Sequence, residues 1–218
     1  MPDTEPKARR LISIVTPCYN EEANVNTHFA RVTAALAPLN DKYNFEFIYT
    51  DNCSQDRTFA LLGELSAKHP NVRGIRISRN IGAARAMMMG LQAAKGDAAM
   101  LIQADLQDPP ELIPEFIRGW EEGFDVVYGE IKEREEGLLM RSLRKLYYKI
   151  VAKLSDVAIP ENAGDFRLTS RRVLEALSHY NEYDLYLRGA IAHIGYIQKA
   201  IPFVRADRAG GRSSSHLP

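Results

Sequence analysis

Short apolar runs that end abruptly in polar residues alternate along this chain with stretches whose apolar positions recur every three or four residues. Leu11–Thr16 is the first run and predicts a strand buried on both faces, broken by Pro17-Cys18-Tyr19-Asn20-Glu21-Glu22. Val25, Phe29, Val32 and Leu36 mark one face of a helix that stops near Pro38. Phe45–Thr50 predicts the second strand, followed by Asp51-Asn52-Cys53-Ser54-Gln55-Asp56-Arg57-Thr58 and a helix carrying Phe59, Leu62 and Leu65. Val72–Ser78 reads as the third strand, and Arg79-Asn80-Ile81-Gly82 opens a helix running to about Ala94. The run from Ala98 turns polar at Asp105, and Pro109-Pro110 begins a new helix with proline in its first turn. Phe124–Tyr128 is a fifth strand. Residues 138–155 then predict an amphipathic helix, 162–168 a short strand, 171–193 a helix and 197–204 a strand.

Five strand–helix alternations predict an α/β domain: one mostly parallel central sheet with helices on both faces. Residues 1–10 read as a disordered lead-in, 11–204 as the domain and 205–218 as a flexible Arg/Gly/Ser tail. Polar clusters follow each of the first four strands: Tyr19-Asn20-Glu21, Asp51-Asn52, Arg79-Asn80 and Asp105 with Gln107. In a parallel sheet these converge on the carboxyl edge, where ligands bind.

Composition narrows the chemistry. Two cysteines, Cys18 and Cys53, are too few for a disulfide framework, and five scattered histidines make a zinc site improbable. No apolar run reaches the length of a membrane span and the start lacks a signal-peptide core, so the chain reads as cytoplasmic. Net charge is zero but uneven: residues 1–137 hold 15 Lys+Arg against 21 Asp+Glu, and residues 138–218 hold 13 against 7. Arg141, Lys145, Lys149 and Lys153 form a basic stripe on the helix at 138–155, either a solvated face or a contact for anionic lipid. The charged run 130–137 is either a solvated loop or a lid.

Asp105 and Gln107 stand where a buried strand emerges. Oxygen donors alone suit a hard cation, Mg²⁺ or Mn²⁺, while a cap of the following helix by Asp105 or Asp108 is the alternative. Asp165 and Arg167 lie two apart in a short strand, so alternation sends both to one face with Phe166 opposite. Either they form a structural ion pair or they serve a ligand.

Taken in order, these clusters resemble the inverting family 2 glycosyltransferases of the GT-A (Rossmann-like) fold. The likeness is greatest to the branch that makes polyprenyl-phosphate sugars, such as dolichyl-phosphate mannose synthase and the bacterial undecaprenyl-phosphate glucosyl- and aminoarabinosyltransferases. Pro17-x-Tyr19-Asn20-Glu21, Asp51-Asn52-x-Ser54-x-Asp56-x-Thr58, Arg79-Asn80-x-Gly82, Gln103-Ala104-Asp105-Leu106-Gln107, Gly164-Asp165-Phe166-Arg167-Leu168 and Arg205-x-x-Arg208-x-x-Gly211-x-Ser213 carry the likeness. The resemblance implies a nucleotide-binding half at 11–130, with Pro17, Tyr19, Glu21, Asp51, Arg79, Gln103, Ala104 and Asp105 holding the nucleotide. It implies an acceptor half at 131–204, Asp105 and Gln107 as ligands of Mg²⁺ or Mn²⁺, and Asp165 and Arg167 as catalytic residues. Arg167, Arg205, Arg208 and Ser213 are then the phosphate-binding set.

The implied reaction moves a sugar from a nucleotide-diphosphate sugar, a UDP-sugar by family likeness, to a polyprenyl phosphate. It would occur at the cytoplasmic membrane face, with no nucleic-acid partner. Relatives usually continue into membrane helices, which this sequence lacks. Gln103 replaces the family's usual first Asp, and Ala83-Ala84 a charged pair. A soluble or glycan acceptor, or a silent nucleotide-sugar-binding relative, is the competing reading. A sugar-nucleotide pyrophosphorylase is disfavoured, since no Gly-rich loop follows the first strand. Nothing in the sequence decides between a monomer and a homo-oligomer.

Overall fold

The computed structural model describes residues 8–132, 163–180 and 186–205. Seven strands form one sheet: β1 (Arg10–Cys18), β2 (Tyr43–Asp51), β3 (Val72–Arg76), β4 (Ala98–Leu101), β5 (Val126–Ile131), β6 (Ala163–Ser170) and β7 (Gln198–Phe203). Their order is β3-β2-β1-β4-β6-β5-β7. β1 to β4 pair in parallel, and β5 pairs in parallel with β7. β6 runs antiparallel to both its neighbours.

Helices α1 (Val25–Leu36), α2 (Thr58–Lys68) and α4 (Ile113–Glu121) cover one face. Helices α3 (Ala83–Ala93), α5 (Arg171–Ser178) and α6 (Leu187–Ile194) cover the other. All four residues of β4 are buried; Ala98 and Met100 face the first layer, Ala99 and Leu101 the second. That two-sided burial is why the strand reads as an unbroken apolar run rather than an alternation. α3 lies so close on β1 that a Cβ at Gly90 would fall 2.4 Å from Val15 Cγ1.

The helix expected over 171–193 is two helices. α5 buries Val173, Leu174 and Leu177 and ends at Ser178. The positions that would continue its buried stripe are Tyr180, only partly exposed outside the helix, and Asn181, a polar residue. Residues 181–185 lie outside the described residues, and α6 restarts at Leu187. The basic stripe at 141–153 and most of the charged run 130–137 also lie outside them.

Alternation along β6 holds as expected. Phe166 is wholly buried, its ring 4.5 Å from that of Phe116 and 5.7 Å from that of Phe203. Burial of such a ring stabilises the domain by roughly 2 kcal/mol. Arg167 and Asp165 face the other way.

Beneath the carboxyl edge, His28 of α1 is fully buried, with Nδ1 3.1 Å from the Tyr49 hydroxyl and Nε2 unpartnered. Burial, reinforced by Arg31, lowers its pKa to about 3 from 6.5. Between those values the unfolded chain binds a proton that the folded one refuses. The stability involved is therefore intact above pH 6.5 and lost as the pH falls toward 3. The loss would approach roughly 5 kcal/mol. Thermal melts across this window should fall more steeply for the wild type than for His28→Asn; parallel curves would place the acid sensitivity elsewhere.

Candidate active site

The loops after β1 and β2 are laced together through side chains. Asn20 N–H donates to Ser54 Oγ at 2.9 Å, Glu21 N–H to Thr58 Oγ1 at 2.8 Å, and Gln55 N–H to Asn20 Oδ1 at 2.8 Å. The loop after β3 joins through Asn52, whose Nδ2 donates to Asn80 Oδ1 at 3.0 Å and whose Oδ1 accepts from Ile81 N–H at 2.9 Å. Much of the Ser54, Asp56 and Thr58 pattern therefore builds the rim instead of facing a ligand. Glu21 is also committed within its loop, accepting from Asn24 Nδ2 at 2.6 Å.

The rim encloses a cleft of about 500 Å³, whose walls include Pro17, Tyr19, Glu21, Ala83, Ala86 and Gln103. Gln103 is turned toward Met87, its amide 3.7 Å from the sulfur. Ala83 and Ala86 give one wall without charge. At the end of β2 beside these loops, Asp51 is wholly buried. Its Oδ1 accepts from Ser54 N–H at 3.2 Å, while Oδ2 has no hydrogen bond and only Arg76 at 3.7 Å. A buried carboxylate oxygen left unsatisfied is costly unless a ligand donates to it.

Backbone strain gathers here as well. Among the described residues, Asn20, Cys53 and Leu106 are the non-glycine residues with positive φ, at 55°, 63° and 61°. Each sits in the loop after a parallel strand, where strain marks functional sites.

Leu106 makes the turn between Asp105 and Gln107, and Asp105 Oδ1 accepts from Gln107 N–H at 3.2 Å. Neither the 3₁₀ turn Pro110–Leu112 nor α4 has a side-chain cap, so the capping alternative for Asp105 and Asp108 falls. Asp108 is buried against Arg205, whose Nε lies 3.3 Å from its Oδ1. Burial pushes Asp108 up to about 6; Arg205 opposes that, while the neighbouring Asp105 and Asp165 add to it.

The donors offered to a metal are therefore oxygens. The nearby thiol of Cys18 is kept protonated by burial and by the carboxylates Glu21, Asp51 and Asp56. Among the described residues no group of three Asp, Glu, His or Cys could hold a metal unaided. A carboxylate and an amide, with the remaining positions open to phosphate and water, do fit Mg²⁺ or Mn²⁺.

β6 completes the edge. Arg167 pairs with Leu101, the last residue of β4, so Asp165 lies beyond that strand's end. Arg167 is 3% exposed. One amino group donates to the Gly164 carbonyl at 2.7 Å, Nε has no partner, and Asp165 is 4.0 Å away. Burial lowers its pKa to about 10. Asp165 is instead gripped by Arg188 of α6, with Nε to Oδ1 at 2.9 Å and Nη2 to Oδ2 at 3.2 Å. Burial alone would raise the Asp165 carboxyl, but the Arg188 fork, with Arg167 and Arg205, holds it below its ordinary value.

The Glycosyl transferase family 2 model matches residues 13–178. The chain belongs to that family. It is 37% identical over 203 residues to an uncharacterized glycosyltransferase of Synechocystis sp., covering 93% of this chain and 63% of that protein. It is 35% identical over 205 residues to a bactoprenol glucosyl transferase of Shigella phage SfV, covering 93% and 66%. The chain thus spans just under two thirds of the length of these curated relatives. In fold it is similar to the mannosyltransferase PcManGT of Pyrobaculum calidifontis, solved with GDP-Man and Mn²⁺. That match has a TM-score of 0.65 at 20% identity, covering 95% of this chain and 59% of that one. The sheet is that of the GT-A glycosyltransferases.

Of the residues the family likeness marks, Pro17, Tyr19, Glu21 and Gln103 line the cleft. Asp51 is wholly buried at the end of β2, and Ala104 is buried, so only its backbone could meet a nucleotide. Arg79 is exposed on the loop after β3. Asp105, Asp108, Asp165, Arg167 and Arg205 form one electrostatic group. Arg208 and Ser213 lie outside the described residues. Arg188 carries no sequence signal, being one arginine in a predicted helix.

Asp51→Asn keeps the acceptor for Ser54 N–H and removes a buried charge whose ion-pair partner among the described residues is the half-exposed Arg76 at 3.7 Å. It should raise the ligand-free melting temperature by a few degrees, the shift expected for about 1 kcal/mol in a domain of this size. Nucleotide affinity should fall at least tenfold. Calorimetry and thermal melts test both; a lower melting temperature would mean Arg76 already satisfies the carboxylate.

Proposed function

We propose that this family 2 glycosyltransferase moves a sugar from a nucleotide-diphosphate sugar, a UDP-sugar, to a polyprenyl phosphate with inversion, at the cytoplasmic face of a membrane. The observation that carries the reading is Arg167, a buried guanidinium with an unpartnered Nε at the edge shared with the nucleotide cleft. Such a group is a binding site for phosphate oxygens. The relatives named bactoprenol glucosyl transferase support a lipid-linked acceptor.

In this reading the cleft holds the nucleoside, with Asp51 accepting from base or ribose. Asp105 and Gln107 are the residues that would hold Mg²⁺ or Mn²⁺. A divalent ion bound there offsets the charge that builds on the leaving diphosphate. An acceptor phosphate oxygen bonds to the anomeric carbon on the face opposite the leaving group. The bond from that carbon to the β-phosphate oxygen breaks, and the nucleoside diphosphate departs. Arg167 orients the acceptor phosphate and Arg205 binds the diphosphate, joined by Arg208 and Ser213 on the family likeness alone. Arg141, Lys145, Lys149 and Lys153 supply basic charge suited to an anionic lipid surface.

No general base is required. A phosphate monoester with a second pKa near ~6 is largely dianionic at neutral pH. Asp165, held low by Arg188, is a poor proton acceptor and serves to order the arginines. Among the described residues no helix is long and apolar enough to cross a membrane.

Calorimetric titration of UDP and of GDP, each with Mn²⁺ and with EDTA, should show metal-dependent binding of UDP. Binding of GDP alone would change the donor, and binding of neither would point to a silent relative. With undecaprenyl phosphate as acceptor, Asp165→Asn should retain turnover within about tenfold. A loss of several thousandfold at unchanged donor affinity would make Asp165 the base.

A further inference from the structure

Two arginines compete for Asp165. Arg188 takes both carboxylate oxygens in a two-point fork, while Arg167, two residues along β6 from Asp165, stays at 4.0 Å. The fork is the stronger geometry for a carboxylate. Arg167 is almost wholly buried, donates to one backbone carbonyl and leaves Nε unpartnered, and among the described residues its nearest carboxylate contact is that 4.0 Å approach. The other cation beside Asp165 is Arg205, which is paired with Asp108.

We infer that Arg188 is a positioning residue that holds Asp165 off Arg167 and so keeps the Arg167 guanidinium available to a phosphate group. This rests on the proposed function in taking phosphate as the anion, but it specifies a different residue acting through a different contact. Without Arg188, Arg167 at 4.0 Å is the next cation to the Asp165 carboxylate among the described residues, and the pair can close. The buried cation is then neutralised from within. Arg188 thus acts without touching substrate, by deciding which arginine the aspartate occupies.

The inference has an unusual signature: a second loss should repair the first. In Arg188→Met, affinity for a phosphate probe should fall at least tenfold. In the double variant Asp165→Asn/Arg188→Met no carboxylate remains to occupy Arg167, and affinity should return to within about threefold of wild type. Two probes are titrated calorimetrically, farnesyl phosphate and UDP with Mn²⁺. The probe that is weakened and rescued identifies whether Arg167 receives the acceptor or the leaving diphosphate. Equal loss in the single and double variants would make Arg188 a structural residue and overturn the inference, as would unchanged affinity for both probes in Arg188→Met.

Arg188→Lys, with and without Asp165→Asn, repeats the test while retaining the helix charge should Arg188→Met fold poorly. A single ammonium cannot hold both oxygens, so a smaller loss, again rescued, is expected. Transfer is assayed separately. Absent wild-type transfer with the rescue pattern intact would count against the proposed reaction alone. Intact transfer without rescue would count against the role of Arg188 alone.

Discussion

In a parallel sheet every strand leaves by the same edge, and a strand in the middle is covered on both faces, so it can place charged groups only after it ends. β6 meets this constraint by running the other way. Its first residues, not its last, arrive at the carboxyl edge, and its later residues continue into the core between β4 and β5. Gly164, Asp165 and Arg167 therefore reach the functional edge from within the sheet, and Phe166 between them is clamped by Phe116 and Phe203. The arginine is held by strand pairing on both sides and by a buried ring behind it. A loop could not hold a desolvated cation with comparable rigidity.

The two halves of the edge are stabilised by different physics. Around the cleft, mostly neutral side chains, helped by Glu22 and Asp56, tie three loops to one another, and Glu21 and Asp51 are buried carboxylates there. Around β6, carboxylates and guanidiniums dominate, and the Asp108 and Asp165 carboxyls are shifted in opposite directions by burial and by their charged neighbours. In the proposed reading, nucleotide recognition would thus rest on a preformed frame and phosphate handling on a balance of charges that an incoming anion would shift.

Periodicity made the sheet and its covering helices legible, because β4 is apolar on both faces, β1 and β2 carry buried apolar runs, and α1, α2 and α4 are amphipathic. Alternation also placed Asp165 and Arg167 opposite Phe166. The direction of β6 was not legible, since a strand's side-chain pattern is the same read either way; only its partners fix it. The break between α5 and α6 was missed because Tyr180 is apolar enough to extend a helical stripe on paper. At the site, motif residues appeared equivalent in sequence, yet Ser54, Asp56 and Thr58 turn out to bind loops, while Asp51 keeps an oxygen open. Arg188 was invisible, because its importance lies in a contact 23 residues away in sequence.

The left-handed residues Asn20, Cys53 and Leu106 have an evolutionary consequence. Glycine at any of them would relieve roughly 1 kcal/mol of backbone strain. Asn20 nevertheless spends its amide oxygen on the neighbouring loop, and Leu106 buries its side chain beneath the Asp105 turn. Selection for stability alone would erode these positions first, and in doing so would slacken the edge while leaving the core untouched. A lineage freed from its chemistry should record that release as glycines in these loops before any change appears in β1 or β4.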